Sequence, residues 1–134
     1  MDAEINFSES LPDNFSSSVP LILLASDNPR LAGHLCRTLE REGMAVKFAP
    51  GYHELEPLTH QHEDGAALIE VSHQHSVEAA VDLALRLKRR NVSQFVGYLA
   101  DPILHTSGLA GDAIFPRSAS QLPQALRDYF SVEV

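Results

Sequence analysis

The chain has few of the features that would place it outside the cell or in a membrane. It holds one cysteine, Cys36, among 134 residues. An intrachain disulfide is therefore excluded, and a reducing compartment is expected. The sequence does not open with a charged segment followed by an apolar run, and none of its apolar runs is long enough to span a bilayer. We therefore expect a cytoplasmic protein without membrane contact.

Positive charge is also scarce, with 10 Lys and Arg against 18 Asp and Glu and a net charge of −8. Phosphate backbones bind to surfaces of positive potential, so nucleic acid is not expected as a ligand of this domain. A Walker loop, a Gly-rich dinucleotide turn and a Gly-x-Ser-x-Gly elbow are missing from the sequence. No cofactor is predicted.

The chain has enough apolar residues, 44%, to build one core. We expect a flexible acidic tail over residues 1–18 and one domain over residues 19–134. The tail holds acidic residues but no Lys or Arg, and it ends in three serines, a composition that buries little apolar surface. Its scattered apolar residues leave open that it docks elsewhere, and they are Ile5, Phe7, Leu11 and Phe15.

Short apolar runs alternate with segments of helical periodicity along the whole domain. Strands are predicted over 21–26, 44–49, 66–71, 95–100 and 112–115. A helix is expected after each strand, including a short one over 101–110, with Asp27, Ser76 and Ser120 as caps. This order predicts an α/β fold with a doubly wound, five-stranded parallel sheet of the flavodoxin-like (βα)5 type.

Three features resemble the receiver domain of two-component response regulators. They are the element order, the turn Asp27-Asn28-Pro29 after the first strand, and the segment Gly111-Asp112-Ala113-Ile114 at the last strand. The resemblance covers roughly Val19 to Phe130 and implies a CheY-like fold. It also implies an aspartyl-phosphate switch, with Mg²⁺ on strand-one acids, an acceptor Asp on strand three, a hydroxyl on strand four and a Lys on strand five.

The sequence departs from that pattern at nearly every position. Ser26 replaces the first acid of the strand-one pair, and Glu70 stands where the acceptor Asp belongs. Strand four ends without Ser or Thr, and Pro116-Arg117 replaces the lysine-then-proline order. We therefore predict a degenerate phosphorylation pocket without catalytic residues, formed by Ser26, Asp27, Glu70, Leu99, Ala100, Pro116 and Arg117.

Glu70 has two interpretations. Its extra methylene places a carboxylate nearer to where a phosphoryl oxygen would sit, so it can hold the domain in an activated-like shape, with Arg117 as the nearby cation. The simpler interpretation, which we favour from sequence, is a solvated acid at the end of a strand.

Two other clusters invite a binding role. The pairs His60 and His62, and His73 and His75, have metal-ligand spacing but flank the third strand on opposite sides, so surface histidines are expected and no metal site is predicted. A basic run near the end of the third helix suits an acidic partner or the acidic tail, although such charges also oppose the helix dipole. Its members are Arg86, Lys88, Arg89 and Arg90.

The leading hypothesis is a non-catalytic pseudo-receiver, not an enzyme, that acts through protein–protein contact with a partner, an adjoining output domain or a second copy. The resemblance implies a face made by the fourth helix, fifth strand and fifth helix. Its predicted residues are Ile103, Leu104, Leu109, Phe115, Arg117 and Tyr129. Two alternatives stay open: an atypical phosphoacceptor using Asp27 or Ser72, and a small-ligand or metal sensor.

Overall fold

A computed structural model describes residues 19–73, 76–101 and 111–131. Within these ranges the strands are β1 (Ile22–Ser26), β2 (Val46–Ala49), β3 (Ala66–Glu70), β4 (Phe95–Leu99) and β5 (Ala113–Phe115). The α-helices are α1 (Pro29–Arg41), α2 (Leu55–Gln61), α3 (Val77–Arg90) and α4 (Leu122–Phe130), and a 3₁₀ turn covers Tyr52–Glu54. The predicted tail over 1–18 and the predicted helix over 101–110 lie largely or wholly outside the described residues.

The strands form one five-stranded parallel sheet in the order β2-β1-β3-β4-β5. Strand order reverses next to β1, because the chain first moves outward to β2 and then crosses back to β3. In sheets of this kind the carboxyl ends of the strands around the reversal form the usual site. The predicted doubly wound fold is confirmed.

Each face of the sheet carries its own apolar core, because side chains alternate along every strand. In β1, Leu23 and Ala25 pack with Leu83 and Leu87 of α3. The alternate residues Ile22 and Leu24 join the core that holds residues of α1 and α4. Helices therefore cover both faces, and the apolar runs of β1 and β3 are wholly buried.

Two of the three predicted cap positions are wrong, and at the third, Ser76, the predicted residue precedes the helix without making a cap bond. Asn28, not Asp27, begins α1, and its Oδ1 accepts from the Leu31 amide at 3.3 Å. Ser76 precedes α3 without capping it, because its hydroxyl donates to Asp27 instead. The residue before α4 is Gln121, one position beyond Ser120, and it makes no side-chain cap bond. At Ser76 a contact between two loops thus replaces the expected cap bond.

Two breaker residues behave as their chemistry predicts. Gly43 follows α1 with φ of +89°, the left-handed conformation that only glycine adopts at little cost. Pro57 lies in the first turn of α2, where a missing amide breaks no helical bond. Gly43 thus allows the chain to turn from α1 towards β2.

Candidate functional site

The last residues of three neighbouring strands stand in register at the carboxyl edge of the sheet. Ser26 of β1 is level with Glu70 of β3, and Glu70 is level with Leu99 of β4. Ser26 and Glu70 are both fully buried. The two sequence departures at strands one and three therefore lie side by side.

The Glu70 carboxylate is surrounded by hydrogen-bond donors. Ser26 Oγ donates to Oε1 at 2.6 Å, and the Ser72 hydroxyl lies 2.8 Å from Oε1 and 2.7 Å from Oε2. Arg117 Nε completes the set at 2.8 Å from Oε2. Burial of an unpaired carboxylate is strongly unfavourable, and these donors explain how Glu70 is accommodated without solvent. The interpretation of Glu70 as a solvated strand-end acid is therefore wrong.

Arg117 ties three strand ends together. Besides Glu70, its guanidinium contacts Asp101 Oδ2 through Nη1 at 2.9 Å and the Ser72 hydroxyl through Nη2 at 3.4 Å. Burial alone lowers the pKa of Arg117, but the hydrogen bonds to and charges of Glu70 and Asp101 outweigh it and raise that pKa above its ordinary value. The guanidinium is thus a permanent cation at the mouth of β3, β4 and β5.

The neighbouring loops add two further contacts. The Ser76 hydroxyl donates to Asp27 Oδ2, which joins the turn after β1 to the start of α3. The Tyr52 hydroxyl donates to the Glu70 carbonyl oxygen at 2.8 Å. Burial, followed by the charges of Asp27 and Glu70, raises the pKa of Tyr52, so this phenol remains a donor. The Glu70 backbone is therefore bound by Tyr52, in addition to the side chains that bind its carboxylate.

The side chains at this edge do not suit the Mg²⁺ ion that the receiver resemblance implies. Mg²⁺ needs several oxygen ligands in octahedral geometry. Both oxygens of Glu70 already accept hydrogen bonds, and Ser26 replaces one of the expected acids. Among the described residues, no three His, Cys, Asp or Glu side chains are grouped closely enough to hold a metal ion. Positive charge at this site comes from Arg117.

The other predicted pocket residues differ in where they lie. Leu99 is level with Glu70, and its buried side chain belongs to the core that holds residues of α1 and α4. Ala100 and Pro116 border an open cleft of about 280 Å³ beside Arg117, together with Asp101, Phe115 and Gln121. The cleft lies at the carboxyl ends of β4 and β5.

Part of the predicted interaction surface lies within the described residues. The Tyr129 side chain on α4 is 42% exposed, whereas Phe115 of β5 is buried. The Tyr129 ring meets Phe115 edge-on at 5.5 Å and Phe95 at 5.4 Å, within an aromatic cluster that includes Phe130. Three residues of the predicted surface lie outside the described part, namely Ile103, Leu104 and Leu109.

The predicted histidine pairs flank β3 at opposite ends. His60 and His62 precede β3, at the end of α2, and His73 follows β3. His75 lies outside the described residues.

Sequence reasoning did not anticipate several partners at this site. Asp101 pairs with Arg117. Ser76, a predicted helix cap, donates to Asp27, and Tyr52, for which the sequence predicts no site role, donates to the Glu70 carbonyl oxygen. The only available signal was position, because each follows or precedes a strand at the carboxyl edge.

Comparison with protein-family models and with curated proteins finds no match. Solved structures do match. A response regulator from Thermotoga maritima has a TM-score of 0.67 at 14% identity, covering 84% of this chain and 98% of its own. The non-phosphorylated HemR receiver domain from Leptospira biflexa has a TM-score of 0.63 at 18% identity, with coverage of 86% and 97%.

A third structure, the Vibrio cholerae chemotaxis protein CheY4, has a TM-score of 0.62 at 13% identity and covers 82% of this chain and 98% of its own. The molecule therefore has the receiver, or CheY-like, fold. In the described part, no helix is long and apolar enough to cross a membrane.

Proposed function

We propose that the chain is a pseudo-receiver, a non-catalytic cytoplasmic signalling module that acts by protein–protein contact without phosphorylation on a conventional Asp. One observation carries the proposal: the carboxylate at the acceptor position, Glu70, is fully buried and accepts from Ser26, Ser72 and Arg117. A nucleophile must present a free lone pair to the phosphoryl group. Attack by Glu70 would require breaking these contacts first.

The chemistry of the surroundings supports the same proposal. Phosphoryl transfer to a carboxylate needs cations that neutralise the developing charge on the phosphoryl oxygens. Arg117 is the cation at this edge, and it is already committed to Glu70 and Asp101. The Arg117 cation is thus already engaged by two protein carboxylates.

The Glu70–Arg117 pair also supports an activated-like resting shape. A carboxylate held by a cation from beyond β5 stands in for a phosphoryl group held by a lysine. Because Arg117 contacts Asp101 after β4 as well, it fixes the loop ends that a receiver would rearrange on phosphorylation. In this proposal the domain keeps one binding-competent conformation and does not need phosphorylation to reach it.

The proposed contact face comprises β5 and α4. Tyr129 supplies a half-exposed aromatic ring on this face, and such rings are enriched where proteins meet. A homodimer or an adjoining output domain would cover it.

Phosphodonor treatment tests the proposal directly. The purified chain is incubated with Mg²⁺ and acetyl phosphate and its intact mass is measured, with a phosphorylatable receiver domain as positive control. We expect no mass gain, and no change in backbone chemical shifts at residues 26, 70 and 117 with beryllofluoride.

A mass gain of one phosphoryl group would contradict the pseudo-receiver proposal and favour the atypical phosphoacceptor. Asp27→Asn and Ser72→Ala would then identify the acceptor, because Asp27 is exposed and Ser72 is only partly buried. The ligand-sensing alternative predicts a higher melting temperature with divalent ions or nucleotides. We expect unchanged melting curves.

A further inference from the structure

The end of α3 exposes a surface that is both basic and apolar. Leu85 is 42% exposed and Val92, just beyond the helix, is 79% exposed, two of the most exposed large apolar side chains in the described part. Arg86, Arg89 and Arg90 are exposed in the last turns of the same helix. We call these five residues the α3-end surface.

The basic residues near the end of α3 differ in the ion pairs and hydrogen bonds that they make. Lys88 is used within the fold, since its Nζ contacts Asp112 Oδ2 at 2.9 Å and the Gln94 carbonyl oxygen at 2.8 Å. Arg86 reaches Asp82 at 3.2 Å. Within the described residues, Arg89 and Arg90 take part in no ion pair. Two guanidinium groups are therefore available beside two exposed apolar side chains.

Residues 1–18 have the complementary composition. They combine the acids Asp2, Glu4, Glu9 and Asp13 with no Lys or Arg. Between these acids lie apolar residues, which are Ile5, Phe7, Leu11 and Phe15. A segment with acids and large apolar side chains fits arginines flanked by Leu85 and Val92, because ion pairs and apolar burial are both satisfied.

The fold brings the two partners to the same edge of the sheet. The Ala66 amide donates to the Leu21 carbonyl oxygen at 2.8 Å, and Gln94 Nε2 donates to the Gly65 carbonyl oxygen at 2.8 Å. The start of β1 and the start of β4 are thus separated by β3 alone, about 10 Å across the sheet. Val92 lies three residues before β4.

A polypeptide of 18 residues that follows random-coil statistics has an end-to-end distance of about 23 Å, a span that reaches the α3-end surface from Val19. A tether of that kind gives an effective concentration in the millimolar range, so weak contacts suffice for binding. We propose that residues 1–18 bind in cis to the α3-end surface through Arg89, Arg90, Leu85 and Val92. The bound segment covers this surface against other acidic partners.

Paramagnetic relaxation in the full chain tests this docking. A spin label is attached to Ser8→Cys in a Cys36→Ala background, and amide peak intensities are compared before and after reduction of the label. We expect intensity loss at residues 85–92, and recovery of those intensities in Arg89→Glu/Arg90→Glu. The matched control Arg30→Glu/Arg37→Glu reverses two exposed charges on α1 and should leave the loss in place.

Charge reversal of the tail supplies the rescue. Glu9→Lys/Asp13→Lys should restore the intensity loss when combined with Arg89→Glu/Arg90→Glu. Unchanged intensities at residues 85–92 in the labelled parent would overturn the proposal, as would a loss that persists in Arg89→Glu/Arg90→Glu. A second sample distinguishes binding within one chain from binding between two chains. It mixes isotope-labelled chain without spin label and spin-labelled chain without isotope. Intensity loss at residues 85–92 in that mixture would assign the contact to a second copy and overturn binding in cis.

Discussion

Arg117 Nε lies 2.8 Å from Glu70 Oε2, which joins the fully buried end of β3 to the chain leaving β5. The Glu70 side chain has no exposed surface, whereas that of Arg117 is 20% exposed. The pair therefore sits at the boundary between the core and solvent, with the cation on the outer side. Removing Arg117 alone therefore leaves a fully buried charge, whereas removing Glu70 alone leaves a cation that still reaches solvent.

Arg117→Met should destabilise the fold by about 3–5 kcal/mol, because it leaves a buried carboxylate without its cation. Urea unfolding followed by circular dichroism measures the free energy of unfolding. Glu70→Leu/Arg117→Met removes both charges and should cost less than Arg117→Met alone. If the double variant lost as much stability as Arg117→Met, or more, the cost of Arg117→Met would not come from the unpaired charge of Glu70.

The fold was predictable because its determinants are local in sequence. The apolar runs of β1, β3 and β4 and the helical spacing of α1 and α3 each fit within one element. The site was predictable where it depends on strand ends, as at Ser26 and Glu70, and at Arg117, the cation that follows β5.

What joins those strand ends could not be predicted. The contacts of Arg117 with Asp101 and of Ser76 with Asp27 connect loops that share no periodicity. The burial of Glu70 depends on such contacts, since its donors come from the end of β1 and from the segments that follow β3 and β5. Cap positions failed for a related reason, because a shift of one residue, from Asp27 to Asn28, depends on backbone angles that composition does not reveal.

Stability should fall in alkaline solution, in part through Tyr98. Burial raises the pKa of this phenol from 10.0 to about 12, so the folded chain keeps a proton that the unfolded chain releases. Stability from this group is complete below pH 10 and is lost as pH rises towards 12. Urea titrations at several alkaline pH values should show a smaller loss per pH unit in Tyr98→Phe than in the parent. An equal loss of stability per pH unit in Tyr98→Phe and the parent would show that Tyr98 does not contribute to the alkaline loss.

Cys36 should react slowly with alkylating agents. Burial, followed by the charge of Glu40, raises the pKa of the thiol from 9.0 to about 11. Because the thiolate is the reactive form, alkylation by iodoacetamide at pH 8 should be about 100-fold slower than for an ordinary thiol. Glu40→Gln should react somewhat faster. The urea-unfolded chain provides the reference rate, and equal rates for folded and unfolded chains would contradict the prediction.

Thr38 offers a route to higher stability. Within the described residues, its Oγ1 is the buried side-chain polar atom that has no hydrogen-bond partner. Such an atom loses its hydration on folding without compensation. Thr38→Val keeps the shape and removes the hydroxyl, and it should raise the free energy of unfolding by about 1 kcal/mol. Thr38→Ser keeps the hydroxyl and should bring no gain, so a stabilised Thr38→Ser would argue against this cause.

The proposed dimer is tested at Tyr129. A charge at this half-exposed ring would be desolvated in a dimer, so Tyr129→Glu should reduce self-association measured by sedimentation velocity. The same ring packs at 5.5 Å against Phe115 and 5.1 Å against Phe130, so thermal unfolding must show that the variant remains folded. Gln124→Glu adds the same charge on α4 at the groove shared with α1 and should leave association unchanged. A parent chain that stays monomeric at high concentration would exclude the dimer and leave a different protein as the partner of this face.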